Sequence, residues 1–318
     1  MTVLSIITCN VRGIQSIKNR ETKMSALHNT SYDIICAQEL RLTSQADVED
    51  VRARWEKGTS IVSRGCDKAD GVAIFFKSNA EIIKTREIIP GRILLVDCFY
   101  LNLKMRIINI YTTQDAATKV RMFKKLYELL LVGFYTVLSG DFNSYTEAND
   151  RIPVPTNPRS RNREGDALKE ISVSCGVKDV FRVLHPFDVG YTRFDARIKT
   201  RIDRIYVTAD ITPVSYKTRV LVNSDHLCSS TFKFGKTEKK GFWKLNVNCL
   251  KNNDVITELK KRSSSHKKFK GFNQVPCGTV GSFKRTSEVF FQIEMQNVKP
   301  GAKCKIQRTH GSFCRFEN

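Results

Sequence analysis

Short apolar runs alternate with amphipathic stretches along the first 235 residues, and this alternation predicts strands interleaved with helices. The strand candidates are rich in Ile, Val, Leu and Phe, and they cover residues 4–11, 33–38, 72–77, 93–101, 106–111, 135–140, 202–208 and 217–222. Stretches with helical periodicity cover residues 18–28, 115–131 and 166–175. This mixture predicts one α/β domain with a multi-stranded core.

The pattern changes after Phe234, where the apolar periodicity weakens and basic residues accumulate. Residues 236–318 hold 18 Lys and Arg against 6 Asp and Glu, in a chain with 53 basic and 32 acidic residues and a net charge of +21. We place a domain boundary near Lys236, with the α/β domain at 1–235 and a basic C-terminal extension at 236–318. This charge favours nucleic acid as a partner, although a solvated basic surface that only aids solubility explains the same composition.

Composition excludes two classes of protein. With 41% apolar residues, many of them in periodic runs, the chain is not disordered throughout. No run approaches the roughly 20 apolar residues that a bilayer requires, so we expect no membrane association. Residues 1–7 are apolar but lack a basic leader, and we therefore expect no secretory signal.

The ten cysteines occur singly, without CxxC spacing, in a chain long enough to fold without disulfides. We therefore expect reduced thiols and an intracellular protein. Four residues of the extension could in principle bind zinc, but the spacing of Cys277, Cys304, His310 and Cys314 is too irregular to favour it.

Acidic and amide residues stand at the ends of several strand candidates. The set comprises Asn10, Glu39, Asp141, Asn143, Asp203, Asp225 and His226. One Asp after a strand is usually a turn residue or a helix cap. Because several separate strands end in a side chain that can bind a metal or transfer a proton, a site at one edge of the sheet explains the pattern better.

The residue types in this set suit the hydrolysis of phosphate esters. Mg²⁺ takes oxygen ligands, so Glu39 is the first candidate ligand, assisted by the amide oxygen of Asn10, with Mn²⁺ as the substitute ion. Asp141 could then activate water while His226 stabilises the phosphorus centre. Asp203 is a candidate partner that fixes the His226 tautomer and favours its charged form. The alternative is that His226 is only a hydrogen-bonded turn residue.

Seven segments resemble the motifs of the endonuclease/exonuclease/phosphatase superfamily, in its order, across nearly all of residues 1–235. They are Thr8-Cys9-Asn10-Val11-Arg12-Gly13, Gln38-Glu39, Asn109-Ile110-Tyr111, Ser139-Gly140-Asp141-Phe142-Asn143, Gly190-Tyr191-Thr192, Arg201-Ile202-Asp203-Arg204-Ile205 and Ser224-Asp225-His226. Within the superfamily, the chain most resembles the apurinic-type endonuclease domain of LINE-type non-LTR retrotransposons. That likeness rests on GVAIFF at 71–76, GDFN at 140–143, GYT at 190–192 and GFWKLN at 241–246.

The resemblance implies a fold, an activity and residue roles. The fold would be a four-layer α/β sandwich of two packed mixed β-sheets flanked by helices, and the activity a Mg-dependent endonuclease that nicks one DNA strand. By this resemblance, Asn10 and Glu39 would bind the metal, and Tyr111 would contact the scissile phosphate. Asp141 would position the attacking water, with Asn143 as the orienting amide, and Asp203 would hold His226. Asp225 would lie beside the metal and the phosphate, and Thr192 on the side that faces DNA.

Basic residues are placed where they could line a path for DNA. The principal candidates are Arg12, Arg193, Arg201 and Arg204, with Arg197, Lys199 and the proline-containing loop around Arg159–Arg163 as further contacts. Lys and Arg on phosphates supply salt-sensitive, sequence-independent affinity. A generally basic surface is the alternative for each of them.

The chain departs from the resemblance at two points. Thr112 and Thr113 follow Tyr111 where Ala-Pro is frequent, and no reverse transcriptase pattern follows the first domain, so we expect nicking without polymerisation. Two alternatives stay open: a phosphatase or deadenylase on the same fold, and a non-catalytic nucleic-acid-binding remnant of a mobile element. We expect DNA as the partner, no small-molecule cofactor and no particular oligomeric state. Basic runs at 260–262 and 267–270 favour a nuclear location.

Overall fold

The computed structural model describes residues 4–130, 133–153 and 162–229, together with four short strands near the C-terminus. The chain divides into two compact units, Met1–Thr237 and Glu238–Asn318. The strands of the first unit are β1 (Ile6–Asn10), β2 (Ile34–Gln38), β3 (Ser60–Ser63), β4 (Val72–Phe76), β5 (Glu81–Ile89), β6 (Ile93–Tyr100), β7 (Leu103–Tyr111), β8 (Tyr135–Asp141), β9 (Arg151–Ile152), β10 (Val177–Asp179), β11 (Arg193–Phe194), β12 (Lys199–Thr200), β13 (Asp203–Thr208), β14 (Thr218–Arg219) and β15 (Cys228–Ser229). Its helices are α1 (Ile17–His28), α2 (Gln45–Ala53), α3 (Ala116–Leu130), α4 (Arg163–Ser174) and α5 (Val180–Leu184), with a 3₁₀ turn at Ala148–Asp150.

Two six-stranded mixed sheets form the centre of this unit. The first has the order β14-β15-β1-β2-β4-β3 and the second the order β10-β13-β8-β7-β6-β5. In each sheet one neighbouring pair is parallel, β1 with β2 and β7 with β8, and the other pairs are antiparallel. A separate three-stranded sheet has the order β11-β12-β9.

Side-chain alternation along the strands produces the four layers. Ile6 and Ile107 are fully buried in a hydrophobic core between the two sheets. The next residues point the other way: Ile7 packs with residues of α1 and α2, and Ile108 packs with residues of α3 and α4. The expected sandwich of two mixed sheets flanked by helices is confirmed.

The elements missed by the sequence pattern have identifiable causes. β5 is an edge strand with seven exposed residues before two half-buried ones, and its apolar residues form only two separate pairs, Ile82-Ile83 and Ile88-Ile89. α2 begins with a capping box, in which Ser44 accepts from the Asp47 amide and the Asp47 carboxylate accepts in return, but only Val48 and Val51 are buried. A helix of nine residues with two buried side chains gives a weak periodic signal.

In the second unit the structure describes two antiparallel hairpins, β16 (Gly281–Arg285) with β17 (Val289–Ile293) and β18 (Lys305–Thr309) with β19 (Phe313–Glu317). The segment at 241–246, the basic runs, Cys277, Cys304, His310 and the side chain of Cys314 lie outside the described residues. So do Arg159 and Arg161 of the predicted basic loop. Within the described part of the chain, no helix has the length and apolar character needed to cross a membrane.

Candidate active site

The candidate site lies at the edge where both parallel strand pairs end. β1 and β2 end at Asn10 and Gln38, and β7 and β8 end at Tyr111 and Asp141. β13 runs antiparallel to β8 and begins at this edge with Asp203, which pairs in register with Asp141. Because the carboxyl ends of parallel strands meet at one edge, residues far apart in sequence form one site.

Asn10 links the two sheets at this edge. Its Nδ2 donates to Glu39 Oε2 and to Asp141 Oδ2, at 2.9 Å in each case, and its Oδ1 accepts from the Arg12 amide at 3.0 Å. The amide nitrogen therefore faces the carboxylates here, whereas the resemblance implies metal ligation by the oxygen. Asn10 contacts Glu39, the other residue to which the resemblance assigns metal binding. The role of Asn10 as a metal ligand stays a prediction.

Glu39 is held in a left-handed backbone conformation just after β2, with a φ of 57°. Such a φ is uncommon for a residue with a Cβ and concentrates at functional sites. Arg41, which also has a positive φ, donates from Nε to Glu39 Oε1 at 2.9 Å. The Tyr111 hydroxyl donates to Glu39 Oε2 at 3.2 Å. Arg41 is a site residue that the sequence analysis did not single out.

Asp141, Asp203 and His226 form a buried cluster. His226 Nδ1 lies 2.9 Å from Asp203 Oδ2, and His226 Nε2 lies 4.0 Å from Asp141 Oδ2. The sequence-based pairing of Asp203 with His226 therefore corresponds to a direct contact. The backbone amide of Asn143 donates to Asp141 Oδ1 at 2.9 Å, so both oxygens of that carboxylate are oriented.

Burial and neighbouring charge shift the pKa values in this cluster. Burial opposes a charged imidazole at His226, but Asp203, with support from Asp141, outweighs it and raises the pKa of His226 to about 9. Burial, together with the like charge of Asp203, raises the pKa of Asp141 above its usual range. At neutral pH the site therefore holds a cationic imidazole beside carboxylates.

The donor set suits a hard divalent cation. One ligand atom from each of Asp141, Asp203 and His226 lies within 4.8 Å of the others, and Glu39 is one amide away through Asn10. Asp203 Oδ1 is buried without a hydrogen-bond partner in the described part of the chain. Carboxylate oxygens and an orphaned acceptor are what Mg²⁺ or Mn²⁺ takes, so the residues fit such an ion.

Asn143 follows Asp141 with a positive φ of 44°. Its Nδ2 donates to the Thr112 carbonyl at 2.9 Å, and its Oδ1 accepts from Gln114 Nε2 at 2.7 Å. Lys119 Nζ donates to its carbonyl at 2.8 Å. The side-chain amide is thus directed towards the loop after β7, and its predicted water-orienting role stays a prediction.

Asp225 lies at the rim between two of the predicted DNA contacts. Its carboxylate pairs with Arg12 Nη1 at 3.3 Å and with Arg193 Nε at 3.8 Å. The side chains of Arg12 and Arg193 are 55% and 37% exposed, so both can reach a ligand outside the protein. Arg163, Arg197 and Lys199 are exposed as well.

Arg201 and Arg204 do not face DNA, and the prediction that they do is wrong. Both side chains are fully buried, and both pair with Asp150 and Asp179 at 2.7–2.8 Å. These arginines hold the pKa of Asp150 well below its usual range despite burial. A basic strand pattern therefore marks an internal ion-pair network that fixes the start of β13.

Thr192 is also buried, so its predicted place on the DNA-facing side is wrong. Its Oγ1 accepts from the backbone amides of Ile202 and Asp203 at 3.1 Å. Its backbone amide donates to the Thr200 carbonyl, and its carbonyl accepts from Leu227. Thr192 therefore connects β13 and the segment that contains His226 to the three-stranded sheet β11-β12-β9, called the small sheet below.

A cavity of about 240 Å³ opens beside the site. Its lining combines amides with both signs of charge: Gln114, Lys119, Asn143, Ser144, Tyr145, Arg151, Asn162, Glu164, Arg193, Asp195, Ile198, Thr200 and Ile202. Arg193, Thr200 and Arg151 share one register row of the small sheet. The cavity therefore extends from Asn143, two residues after Asp141, to the partly exposed Arg193.

The structure joins Cys9 and Cys228 by a disulfide, with Cα atoms 4.4 Å apart. The expectation that all ten cysteines are reduced is therefore wrong for this pair. The two residues lie on neighbouring strands β1 and β15, next to Asn10 and close to His226. Residues 219 apart in sequence give no pairing signal before the strand order is known.

A pair of buried amide side chains, Gln38 and Asn109, lies behind the site. Gln38 Nε2 donates to Thr8 Oγ1 at 2.8 Å and to Asn109 Oδ1 at 2.7 Å. Asn109 Nδ2 donates to the Ala37 and Ala73 carbonyls. These bonds join β7 of one sheet to β2 and β4 of the other, directly beneath the site residues at the ends of β2 and β7.

Residues 7–226 match the Endonuclease/Exonuclease/phosphatase family. The match spans more than half of the chain, and the chain belongs to this family. Its members are hydrolytic nucleases and phosphatases that use divalent metals, in agreement with the carboxylate and histidine cluster.

Solved structures share the fold. An AP endonuclease from Archaeoglobus fulgidus is 23% identical, with a TM-score of 0.56 over 72% of this chain and 98% of that one. The 3′ phosphatase NExo from Neisseria, bound to a product DNA hairpin, is 19% identical, with a TM-score of 0.55 over 73% and 99%. The AP endonuclease LMAP from Leishmania major is 16% identical, with a TM-score of 0.62 over 73% and 88%.

Proposed function

We propose that the protein is a metal-dependent DNA endonuclease that nicks one strand by hydrolysing a phosphodiester bond, as LINE-type retrotransposon endonucleases do at their target sites. The observation that carries this proposal is the buried cluster of Asp141, Asp203 and His226, beside the solvent-accessible arginines Arg12 and Arg193 that pair with Asp225. A retrotransposon origin is further supported by the motifs at 71–76, 140–143 and 190–192.

Glu39 is the side chain that would hold a divalent ion, assisted by Asn10, which also contacts Asp141 of the neighbouring carboxylate and histidine cluster. Such an ion supplies charge neutralisation at the phosphate when it is bound. The chain's own contribution is a rigid set of oxygen atoms. Each is fixed by a hydrogen bond or by burial, so little rearrangement accompanies the reaction.

Asp141 is the residue placed to accept a proton from the attacking water. Its Oδ1 is oriented by the Asn143 amide and its Oδ2 by Asn10, and its raised pKa makes it a better base than an exposed Asp. The new bond forms between the water oxygen and phosphorus, and the bond from phosphorus to the sugar oxygen breaks. The departing sugar oxygen takes a proton from solvent water, and Asp141 releases the proton that it accepted to solvent afterwards.

His226 is the residue that stabilises negative charge on the phosphate. Asp203 holds its Nδ1 and raises its pKa to about 9, so the imidazolium predominates at neutral pH. Tyr111 adds a neutral donor, because burial and the charges of Glu39 and Asp141 raise the pKa of its hydroxyl well above the usual range.

Incubation with supercoiled plasmid and Mg²⁺ tests this function. We expect open circles with the wild-type protein, and none with EDTA or with Asp141→Asn, which keeps the size of the side chain. Mn²⁺ should replace Mg²⁺. An intact supercoiled plasmid under all conditions would overturn the proposal.

A second candidate is hydrolysis at DNA ends, favoured by the fold shared with the Neisseria 3′ phosphatase. A duplex with a recessed 3′-phosphate tests it: release of inorganic phosphate without plasmid nicking would replace the first candidate.

Nuclear localisation and the domain boundary near Lys236 are part of the endonuclease proposal. The basic runs at 260–262 and 267–270 would direct the protein to chromosomal DNA, which localisation of a run-deleted variant tests.

A further inference from the structure

Arg92 lies against the ring of Tyr111, immediately before β6. We propose that Arg92, clamped by Asp70, is a positioning residue that fixes the Tyr111 hydroxyl for its contact with the scissile phosphate. This inference rests on the proposed function, in which Tyr111 is a donor to the phosphate.

The contact is specific in geometry. The Arg92 guanidinium carbon lies 4.5 Å from the centroid of the Tyr111 ring, and its side chain is only 12% exposed. A cation over an aromatic face is attracted by the ring quadrupole, and more strongly where water is excluded. The Tyr111 amide also donates to the Arg92 carbonyl at 2.8 Å, so both backbone and side chain connect the two residues.

Two further contacts fix the guanidinium. Its Nε lies 2.5 Å from Asp70 Oδ1, and its Nη1 donates to the Thr112 carbonyl at 3.3 Å, just beyond Tyr111. The planar fork of an arginine can make these contacts and stack on a ring at once, which a lysine cannot.

The Asp70 side chain is itself confined. Its carboxylate is 7% exposed, and its Oδ2 accepts from the Asp67 amide at 2.9 Å. A Cβ placed at Gly65 would lie 2.0 Å from Asp70 Oδ2, and one placed at Gly91 would lie 2.8 Å from Asp70 Cβ. Two glycines therefore make room for the carboxylate that orients Arg92.

The far end of the same ring carries the hydroxyl that donates to Glu39 Oε2 at 3.2 Å. A ring held on one face by Arg92 cannot turn away without losing that contact. Removing the guanidinium should thus leave Tyr111 present but less well directed, and the reaction should slow through Tyr111 alone. The competing explanation is that Arg92 contacts a DNA phosphate directly.

A double-mutant cycle separates these explanations. Arg92→Gln should lower kcat about tenfold when Tyr111 is present, and less than about twofold in a Tyr111→Phe background, with KM within about twofold. Arg92→Lys should recover part of the loss because it keeps a charge near the ring. Equal losses in both backgrounds, or a raised KM with a shallower salt dependence of binding, would overturn the proposal.

Arg106 provides a matched control away from the site. Its guanidinium pairs with Asp97 at 2.6 Å and lies 5.1 Å from the Phe134 ring, which reproduces the surroundings of Arg92. Arg106→Gln should lower the melting temperature while kcat stays within about twofold. If Arg92→Gln fails to fold, Asp70→Asn releases the clamp, and its loss of kcat should likewise depend on Tyr111.

An activity-independent measurement keeps this inference separate from the proposed function. In protein with ¹³C-labelled tyrosine rings, the signal absent from Tyr111→Phe belongs to Tyr111. That signal should shift in Arg92→Gln and stay in Arg106→Gln. If the wild-type protein nicks no DNA but the signal shifts, the endonuclease proposal fails and the clamp remains. An unchanged signal overturns the clamp.

Discussion

Two buried charge clusters meet at the start of β13 and behave in opposite ways. On one side, Arg182, Arg201 and Arg204 pair with Asp150, and Arg201 and Arg204 also pair with Asp179, so every charge has a partner. On the other side, the carboxylates of Asp203, Asp141 and Glu39 have the His226 imidazole and Arg41 as their cationic neighbours, and negative charge is in excess. A balanced cluster stabilises structure, whereas an unbalanced one is suited to a cation or a phosphate-bound metal.

The largest effect should come from neutralising the unbalanced cluster. Asp141→Asn removes the proton acceptor and should reduce nicking by about 10²–10⁴-fold. It also removes a carboxylate whose ionisation is opposed by burial, so the melting temperature should not fall. Plasmid nicking and thermal unfolding measure the two quantities. A large loss of stability with nicking activity retained would contradict the claim that this cluster serves catalysis and the arginine cluster serves stability.

Substitution in the balanced cluster, the ion-pair network of Arg201 and Arg204 with Asp150 and Asp179, should lower stability and leave DNA binding unchanged. Arg204→Met removes the bonds of one buried guanidinium to Asp150 and Asp179 and leaves Asp179 with Arg201 as its one remaining arginine in the described part of the chain, so it should cost about 3–5 kcal/mol of unfolding free energy. Denaturant unfolding measures this cost. The salt dependence of DNA binding by the remaining folded protein should match the wild type, and a shallower slope would restore Arg204 as a DNA contact.

The residue pattern predicted a multi-stranded α/β domain with acidic and amide residues at its strand ends, because strand ends are marked by local residue types, and the family resemblance implied the two packed sheets. Burial is not local, which is why Arg201 and Arg204 resembled a DNA surface. Thr192 was misplaced for the same reason. The contact of Arg92 with Tyr111 could not be predicted from the sequence, because Asp70, Arg92 and Tyr111 come together only through the packing of loops around Gly65 and Gly91.

The pH dependence of nicking should reflect the unbalanced cluster. The pKa of His226 is raised to about 9, so the imidazolium is present below that pH and is lost as the pH rises through it. The pKa of Asp141 is raised as well, so activity should also fall on the acidic side as the carboxylate protonates. Rate profiles of the wild type and His226→Gln check this. The variant should lack the alkaline fall, and its persistence would assign that fall elsewhere.

The smallest effect should come from the rim. Arg193→Gln removes one exposed charge that pairs weakly with Asp225 and should weaken DNA binding a few-fold, with the salt slope reduced by about one. Binding titrations at several salt concentrations, with Arg64→Gln as an exposed control outside the rim, give the slope. An unchanged slope would remove Arg193 from the DNA path.

Binding of Mn²⁺, followed by electron paramagnetic resonance, tests most directly whether the strand-end carboxylates form a metal-dependent catalytic centre. The account predicts that the wild-type protein removes free Mn²⁺ signal, that Glu39→Gln weakens this binding at least about tenfold, and that Glu49→Gln on the exposed surface of α2 leaves it unchanged. Equal Mn²⁺ binding by all three proteins would contradict the account.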